Sequence, residues 1–502
     1  MLKQQLKYTP DSSLLFEKIA HEQWAIFLDS GRPLGEYGRY DIIVARPFIT
    51  ISILNNRAYV TGEDGSNTFV EDDPFALLKR VMAPYSQSVV DSSDSPCSPS
   101  LPFTGGAVGY FGYDLVRYLE DLPAIAQDIA NIPEMSIGIY DWAVVVDHRK
   151  QSTWLVSNGH APHTQDSWKS LCSLFDQPSA EEGQSKQYSA PVRSEFKVGS
   201  SVSSNMDLNS YATAFNKIKH YILEGDCYQV NLAQRFTVKA QGDAWIAYKK
   251  LREISPAPFM AFLNLPTMQV LSGSPERFLQ VINQYVETRP IKGTRPRSAD
   301  ADQDAANAKE LVESVKDQAE NLMIVDLLRN DISKSCEVGS VKANNLFSLQ
   351  SFANVHHLVS TVTGTLAEDK TAIDLLQGCF PGGSITGAPK LRAMEIIEEL
   401  EPHRRGLYCG AIGYIGFDGN MDTNIAIRSI VYADNVMSFY AGGGIVADSE
   451  MVKEYKETWD KASHMLKLIQ HFGAQFNLDA ISLNQTNLSA TLSSKTANHV
   501  DS

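Results

Sequence analysis

Residues 411–432, which read AIGYIGFDGNMDTNIAIRSIVY, decide the fold class of this chain. Two apolar, β-branched runs, 411–417 and 420–432, flank Asp418-Gly419, a dipeptide that strongly favours a hairpin turn. Helical patterns occupy the same half of the chain, at residues 309–329, 391–400 and 450–469. Long helices mixed with hairpins in one region predict an α+β fold built on mainly antiparallel sheets.

Polar stretches predict how the rest of the chain is divided. Residues 179–206 are rich in Ser, Glu, Gln and Lys, which predicts a linker or flexible excursion. This segment separates an N-terminal domain, residues 1–178, from a catalytic domain, residues 207–478. Strand-like runs in the N-terminal part lie at 24–28, 41–44 and 142–146. Residues 479–502 are rich in Ser, Thr and Asn, which predicts a disordered tail.

Composition and charge exclude several classes of function. The 502 residues carry 44 Lys and Arg against 59 Asp and Glu, a net charge of −15. This acidic balance argues against nucleic-acid or anionic-membrane binding, which needs a basic face. Six scattered cysteines form no C-x-x-C pair, which favours reduced thiols over zinc or a disulfide frame. With no signal peptide and no membrane-spanning run, we expect a soluble, cytoplasmic protein.

Two predicted helices carry carboxylates three residues apart. Asp317 and Glu320 stack on one face of the helix predicted at 309–329, and Glu454 and Glu457 do so on the helix at 450–469. Such pairs are usually solvated surface charge. The alternative is that the two helices converge and bind Mg²⁺, which takes a few carboxylates together with water and substrate oxygens. The first helix also has a predicted apolar stripe of Leu311, Val315, Leu322 and Val325.

Glycine-rich segments and isolated cations give further candidates. Residues 382–387 have P-loop spacing, but Ala388 stands where the phosphate-binding lysine should be, so a nucleotide loop is improbable. Arg428, in a predicted strand, needs an anionic partner, either a structural carboxylate or a ligand. Lys292 lies among several arginines. It is either a surface lysine or a nucleophile whose pKa is lowered.

Five ordered motifs strongly resemble those of the chorismate-utilising enzymes. The resemblance extends from Trp24 to Ile469, and its most specific parts are SPERF (274–278), PIKGT (290–294), ENLMIVDL (320–327), GAPK (387–390) and DTNIAIR (422–428). It implies the fold of that family, in which two antiparallel β-sheets pack together with helices on the outside. The N-terminal part would then correspond to the family's N-terminal domain.

The resemblance also implies roles for individual residues. Glu320 and Glu457 match Mg²⁺ ligands, with Asp317 and Glu454 behind them, and Lys292 and Glu276 match catalytic residues. The implied chorismate-binding residues are Gln229, Gly293, Thr294, His357, Tyr408, Arg428, Gly442, Gly443, Gly444 and Lys461. A tryptophan pocket is implied at Ser30, Tyr37, Gly38, Arg39, Tyr40, Pro258, Phe259 and Met260.

Two positions indicate which branch of the family this chain resembles. The branch that makes isochorismate or salicylate carries Lys in place of Gln229, and the anthranilate-forming branch carries Ala in place of Lys292. The combination found here implies formation of 4-amino-4-deoxychorismate, for 4-aminobenzoate and folate, through a covalent lysyl intermediate with Glu276 as general acid. A separate glutamine amidotransferase subunit would supply ammonia in a heterodimer. An anthranilate-forming enzyme and a catalytically silent chorismate-binding paralogue remain the alternatives.

Overall fold

The computed structural model describes residues 1–31, 38–70, 72–86, 101–176, 194–351 and 355–475. The strands are β1 (Leu2–Leu6), β2 (Ala25–Asp29), β3 (Tyr40–Val44), β4 (Ile49–Leu54), β5 (Arg57–Gly62), β6 (Asn67–Val70), β7 (Gly106–Phe111), β8 (Met135–Tyr140), β9 (Trp142–Asp147), β10 (Ser152–Ser157), β11 (Lys197–Val198), β12 (Ser203–Ser204), β13 (Gln229–Gln241), β14 (Phe259–Asn264), β15 (Gln269–Ser274), β16 (Arg277–Ile282), β17 (Tyr285–Thr288), β18 (Ile291–Pro296), β19 (Lys342–Ser351), β20 (Val355–Thr365), β21 (Gly387–Ala388), β22 (Ala411–Gly416), β23 (Met421–Ile425), β24 (Ser429–Ala433) and β25 (Val436–Ile445).

The helices are α1 (Ser13–Phe16), α2 (Pro74–Met82), α3 (Pro162–Asp176), α4 (Leu208–Glu224), α5 (Ala244–Ile254), α6 (Ala301–Glu313), α7 (Val315–Ser333), α8 (Ala372–Cys379), α9 (Lys390–Leu400) and α10 (Met451–His471), with short 3₁₀ turns at Ala83–Tyr85, Tyr113–Tyr118 and Gly383–Ile385. No helix of the described ranges is long and apolar enough to span a bilayer.

The strands form two large antiparallel sheets. The first sheet runs β1-β10-β9-β3-β2-β14-β15-β24-β25-β13-β11, with β12 and β21 also pairing with β13. The second runs β18-β20-β17-β16-β23-β22-β7-β8-β4-β5-β6, with β19 also pairing with β20. One apolar cluster lies between the sheets, where Ile26 and Val270 of the first meet Tyr110 and Ile412 of the second.

Helices cover the outer faces of both sheets. Apolar residues of α1, α3, α5 and α10 pack with the first sheet in one buried cluster. Those of α2, α7 and α8 pack with the second sheet in another. This arrangement confirms the predicted α+β fold of two packed antiparallel sheets with helices outside, because each amphipathic helix must bury its apolar face against a sheet.

Both sheets contain strands from both sequence halves. Strand β2 pairs with β14, bringing Asp29 opposite Met260, and β7 pairs with β22, bringing Phe111 opposite Ala411. Within the segment predicted as a linker, β11 and β12 are short strands on β13. The domain boundaries stay a prediction. Residues 177–193 and the tail from 476 to 502 lie outside the described residues.

The sequence-predicted hairpin at Asp418-Gly419 is confirmed, whereas two neighbouring predictions are wrong. Strands β22 and β23 pair across that turn, in which Gly419 has a φ of 80°. The single strand predicted over residues 420–432 is two strands, β23 and β24. Arg428 lies between them with a φ of 51°, so it is not a strand residue.

The helix predicted over residues 309–329 is likewise two helices. Ser314 has extended dihedrals (φ −69°, ψ 102°), ends α6 and caps α7 by accepting a hydrogen bond from the Asp317 amide. The predicted apolar stripe fails at this break. Leu311 and Val325 are buried, but Val315 is 79% exposed and Leu322 is 50% exposed.

Candidate active site

Lys292 lies on a β-bulge between the second sheet and helices α6 and α7. The register between β18 and β20 shifts between Lys292 and Thr294, and Gly293 has a φ of 71°, which only glycine adopts at little cost. A Cβ at position 293 would lie 2.7 Å from Leu311 Cδ1 and 3.0 Å from Asp317 Oδ1. The bulge therefore depends on glycine, and it fixes where the Lys292 side chain emerges.

His357 holds the bulge from the neighbouring strand. Its Nδ1 lies 3.0 Å from Thr294 Oγ1 and 3.3 Å from the Gly293 carbonyl oxygen. Burial, together with the charge of Arg428, lowers the pKa of His357 to about 4. The imidazole is therefore neutral at physiological pH, and it can donate a hydrogen bond to Gly293 or accept one from Thr294.

The Lys292 side chain is surrounded by charged groups. Burial lowers the pKa of its ammonium, and Lys461 acts in the same direction, while Glu320, Glu276 and Glu457 oppose the shift. A lowered pKa increases the fraction of neutral amine, which is the form that can act as a nucleophile.

Glu276 is the buried acid of the site. The residue is 8% exposed, and its Oε1 accepts a hydrogen bond of 3.0 Å from Ser384 Oγ. Burial raises the pKa of Glu276 to about 7. The hydrogen bond from Ser384 and the nearby charges of Lys292, Lys461 and Arg428 act to lower this pKa, but burial is the larger effect. Sequence reasoning missed Ser384. Its position in the glycine-rich segment 382–387 was the available signal.

Helix α10 contributes two carboxylates and a lysine. Lys461 Nζ lies 2.7 Å from Glu457 Oε1 and donates a 2.9 Å hydrogen bond to the Gly442 carbonyl. Burial alone would raise the pKa of Glu457, but Lys461 and the other nearby lysines hold it below its usual value. A Cβ at Gly443 would lie 3.3 Å from Glu457 Oε1 and 3.4 Å from Glu454 Oε2. The glycine backbone therefore lies directly against this carboxylate pair.

Helix α7 brings Glu320 to the same site. Burial raises its pKa, against the charges of Lys292 and Lys316. Lys316 Nζ stands 3.9 Å from Glu320 and 3.4 Å from Asp448, a contact that sequence reasoning missed. Asp317 pairs with Arg295 at 3.1 Å, and its charge adds to the rise in the pKa of Glu320. Glu454 is hydrogen-bonded to Ser449 Oγ at 2.6 Å.

Gln229 is buried beside Gly444 with its amide unused. The side chain has no exposed surface, and neither its Oε1 nor its Nε2 has a hydrogen-bond partner among the described residues. A Cβ at Gly444 would lie 3.0 Å from Gln229 Cδ. An unpaired buried amide is costly unless something else satisfies it.

Arg428 lies near enough to Glu276 for its charge to affect that carboxyl, whereas the contacts of Tyr408 are with Tyr440 and Arg405. Within the described ranges, no hydrogen bond or ion pair engages the Arg428 guanidinium, and burial lowers its pKa, against the charge of Glu276. Tyr408 is buried and stacks on Tyr440, with ring centroids 5.2 Å apart. The chain neighbour of Tyr408, Cys409, is buried, and burial is the main cause of the raised pKa of its thiol.

Lys390, from the GAPK motif, has a structural role. Its ammonium pairs with Asp331 and donates to the Cys379 carbonyl at 3.0 Å, which ties α9 to α7.

A separate cavity of about 550 Å³ opens between the sheets near β2 and β14. Of the residues assigned to a tryptophan pocket, those lining the cavity are Ser30, Arg39, Tyr40, Pro258, Phe259 and Met260. Gly38 is buried but does not line it, and Tyr37 lies outside the described residues. Arg277 also lines the cavity, although its chain neighbour Glu276 belongs to the Lys292 cluster.

Comparison with known proteins identifies the family. A family model described as chorismate binding enzyme matches residues 28–467. The chain therefore belongs to the chorismate binding enzymes.

Among its curated relatives, aminodeoxychorismate synthase component 1 of Escherichia coli (strain K12) is 45% identical over 91% of this chain and 95% of that protein. The protein of that name from Klebsiella aerogenes is 44% identical over 93% and 98%. Anthranilate synthase component I from Streptococcus pneumoniae TIGR4 has a solved structure that is 30% identical, with a TM-score of 0.72 over 86% of this chain and 95% of that one.

Proposed function

We propose that this chain converts chorismate and ammonia to 4-amino-4-deoxychorismate, the activity for which its 44–45% identical relatives are named. The observation that carries the proposal is Lys292, a lysine with a lowered pKa beside a buried acid, Glu276. A nucleophilic amine needs a lowered pKa so that it is neutral, and a general acid at neutral pH needs a raised pKa so that it is still protonated.

The proposed reaction has two substitution steps. Neutral Lys292 Nζ attacks ring C2, the ring double bonds shift, and the C4–O bond breaks. Glu276 protonates the departing hydroxyl, which leaves as water, and its carboxylate then takes the proton released by the lysyl nitrogen. Ammonia next attacks C4, the double bonds shift back, and the C2–N bond breaks. One proton from the new amine returns to the leaving Lys292, so the site is regenerated.

Other residues of the site would bind the dianionic substrate. Arg428, with no anionic partner among the described residues, can pair with a substrate carboxylate. The amides of residues 442–444 can donate to the same group. The unused amide of Gln229 supplies a donor and an acceptor for the ring. Lys461 and the neutral His357 would also lie around the substrate, and neither of them adds a negative charge that would repel it.

Mg²⁺ is the cofactor of this proposal, with Glu320 and Glu457 as its protein ligands. The described residues contain no group of three or more His, Cys, Asp or Glu placed to bind a metal. Mg²⁺ usually needs only one or two carboxylates, with water and substrate oxygens completing its shell, so the donor set fits. Bound there, the ion would neutralise the ring carboxylate of chorismate. Asp317 and Glu454, each three residues before one of these ligands, would stand behind them.

Product analysis tests the proposed reaction. The chain is incubated with chorismate, Mg²⁺ and ammonium chloride, and the products are separated with mass detection. We expect 4-amino-4-deoxychorismate, which a separate lyase converts to 4-aminobenzoate. Lys292→Ala should lower its formation by at least about a hundredfold, whereas Lys309→Ala, at an exposed position on α6, should not. Anthranilate as product, or binding without consumption of chorismate, would refute the proposal.

The metal assignment has its own test. Glu320→Gln and Glu457→Gln should abolish the rise in melting temperature that Mg²⁺ and chorismate produce together. Asp326→Asn, at an exposed site on the same α7 helix, is the matched control and should keep that rise. An undiminished rise in both glutamate variants would remove these residues as ligands.

We further infer that the 550 Å³ cavity holds a tryptophan molecule as a structural ligand. Six of the eight assigned residues line it, including Ser30, which is buried and donates its amide and hydroxyl to Asp41 at 2.8 and 2.6 Å. Mass spectrometry of the small molecules released by denaturing the purified chain tests this inference. Absence of tryptophan, even after the protein is refolded with it and washed, would contradict it.

A further inference from the structure

A small void of about 20 Å³ is lined by three arginines, Arg235, Arg404 and Arg405. Arg235 belongs to β13, where it lies opposite Tyr440 of β25, and the other two arginines follow helix α9 in the chain. Among the described residues, no aspartate or glutamate lines this void. Positive charge therefore gathers around it from two separate parts of the chain.

The charge of Arg405 is already balanced by an acid. Its guanidinium donates to both carboxylate oxygens of Glu401, at 2.9 and 2.7 Å. It also donates to the carbonyl oxygens of Ile385 and Asn231, each at 3.0 Å. A buried ion pair with its remaining donors hydrogen-bonded is satisfied, so Arg405 needs no further anion.

Arg235 and Arg404 have no such partner. Neither guanidinium makes a hydrogen bond or an ion pair with any residue that the structure describes, and the buried Nε atoms of both are unpaired. Arg235 is only 9% exposed. A guanidinium keeps its charge in proteins, and a buried charge without a partner is costly. Two positive charges beside the void are therefore left unbalanced.

The acidic side chains near Arg404 do not balance its charge. Asp114, whose pKa is affected by Arg404, accepts a hydrogen bond of 2.8 Å from the Gly406 amide and pairs with Arg117 at 3.6 Å. Glu134 lines another cavity together with Arg404, but the two form no ion pair. Burial raises the pKa of Glu134 to about 7, so much of it is protonated at neutral pH.

The titratable groups near Arg235 are neutral. Burial lowers the pKa of His403, and the charge of Arg235 lowers it further, so the imidazole carries no charge at physiological pH. Burial raises the pKa of Tyr440. The Tyr440 hydroxyl therefore keeps its proton, which it donates to the Arg404 carbonyl at 2.6 Å.

The volume of the void limits what can occupy it. Since about 10–15 Å³ suffices for a water molecule, a void of about 20 Å³ takes one water or one monatomic ion. It is too small for phosphate, sulfate or an organic carboxylate. Water would accept hydrogen bonds from the guanidinium groups but would leave their charges unbalanced. A halide ion accepts such hydrogen bonds and also supplies the negative charge.

We propose that a chloride ion binds in the void lined by Arg235 and Arg404. The ion accepts hydrogen bonds from the two guanidinium groups and offsets the cost of burying their charge. Tyr408 also lines the void, so the bound ion stabilises the segment that joins Arg404 to Tyr408. This inference does not depend on the proposed reaction, and it would stand if that reaction were wrong.

The site is tested in solution by comparing melting temperatures in sodium chloride and in sodium gluconate at the same ionic strength. Gluconate is too large for the void, so the unchanged chain should melt several degrees higher in chloride. Arg235→Gln and Arg404→Gln should each lose most of this difference. Arg80→Gln, which removes an arginine from a surface ion pair on α2, should keep it. Equal melting of the unchanged chain in the two salts, or a full chloride effect in both folded variants, would overturn the site.

Crystals of the full chain soaked in sodium bromide locate the ion directly, because bromide scatters anomalously. We expect an anomalous peak in the void, in contact with the guanidinium groups of Arg235 and Arg404. Absence of that peak would overturn the proposal. A peak without any effect of chloride on the melting temperature would do so too, since the site would then fill only at crystal concentrations.

Discussion

At the residue scale, the protonation of Glu276 should set the pH dependence of the reaction. Its pKa is raised to about 7, and a general acid acts only while protonated. Activity should therefore fall about tenfold per pH unit above pH ~7. Protonation of Lys292 should also lower activity, because only the neutral amine is a nucleophile. The measurement is kcat/KM for chorismate against pH at a constant concentration of free ammonia.

The Glu276→Gln variant identifies the group responsible. It should lower kcat by about 10² to 10⁴-fold, as loss of a general acid does, and it should abolish the alkaline fall. If the fall persists in the variant, another group causes it and Glu276 is not the acid.

The side chain of Gln229 should contribute to chorismate binding but not to the stability of the fold. Replacing it by leucine removes two buried polar atoms that have no partner among the described residues, so Gln229→Leu should keep or raise the melting temperature. Its KM for chorismate should nevertheless rise about tenfold, a loss of about 1.4 kcal/mol.

The matched control for Gln229 lies on the same strand. Gln234 is equally buried but is hydrogen-bonded to Ser204 and Thr458. Gln234→Leu should therefore lower the free energy of unfolding by about 1–3 kcal/mol. Equal destabilisation by both leucine variants would mean that the Gln229 amide is already satisfied in the free protein.

The roles of individual residues were predictable where the residues belong to a motif. They were not predictable where backbone geometry determines what a residue does. Lys292, Glu276, Glu320 and Glu457 were assigned by resemblance, and the structure brings them into one cluster. The φ of Arg428 was not predictable, because its apolar neighbours favour a continuous strand. The turn is set by tertiary pairing: β23 pairs with β16 in the second sheet, and β24 pairs with β15 in the first. Lys316 acts through a spatial contact that no spacing in the sequence indicates, and the one signal for Ser384 was its place in the glycine-rich segment 382–387.

At the scale of elements, the junction between α6 and α7 should be sensitive to Ser314. Its hydroxyl caps α7, the helix that carries Glu320. Ser314→Ala should cost about 1 kcal/mol in the free energy of unfolding, whereas Ser314→Asp keeps an acceptor at the cap and should cost little. Denaturant titration measures both variants, and equal stability of the two would contradict the cap.

The sequence predicted the type of each helix and strand better than it predicted where each one begins and ends. The strong period of residues 450–469 and the Asp418-Gly419 turn were confirmed as α10 and a hairpin. The break at Ser314 was missed because helical periodicity continues through it for several residues on both sides. Only the tertiary packing of Leu311 and Val325, with Val315 left exposed, shows that two helices meet there.

At the scale of the whole molecule, the catalytic segment should not fold alone. Residues 207–478 contain β14 and β22, whose partners β2 and β7 come from the N-terminal part. Without those partners, both strands would expose unpaired backbone and apolar faces. Expressed alone, this segment should aggregate or lack a cooperative thermal transition, measured by circular dichroism. Coexpression with residues 1–178 should restore the transition. A cooperative transition in the isolated segment would contradict this expectation.

The overall architecture was predictable as a class but not as a topology. Hairpins and amphipathic helices indicate packed antiparallel sheets from local pattern alone. The pairing of β2 with β14 joins residues more than 200 positions apart in the sequence, and no local signal specifies such a partner. The cavity between the sheets follows from that pairing, so only the family resemblance anticipated its lining.

Because both sheets contain strands from both halves of the sequence, some strands lack a pairing partner while the chain is still being synthesised. Strand β7 can pair with β8 soon after synthesis, but its other edge must wait for β22, about 300 residues later. At roughly 5–20 residues per second, that wait is about 15–60 s. During this time the nascent chain presents an apolar strand edge, so its safe completion depends on translation speed and on whatever shields that edge.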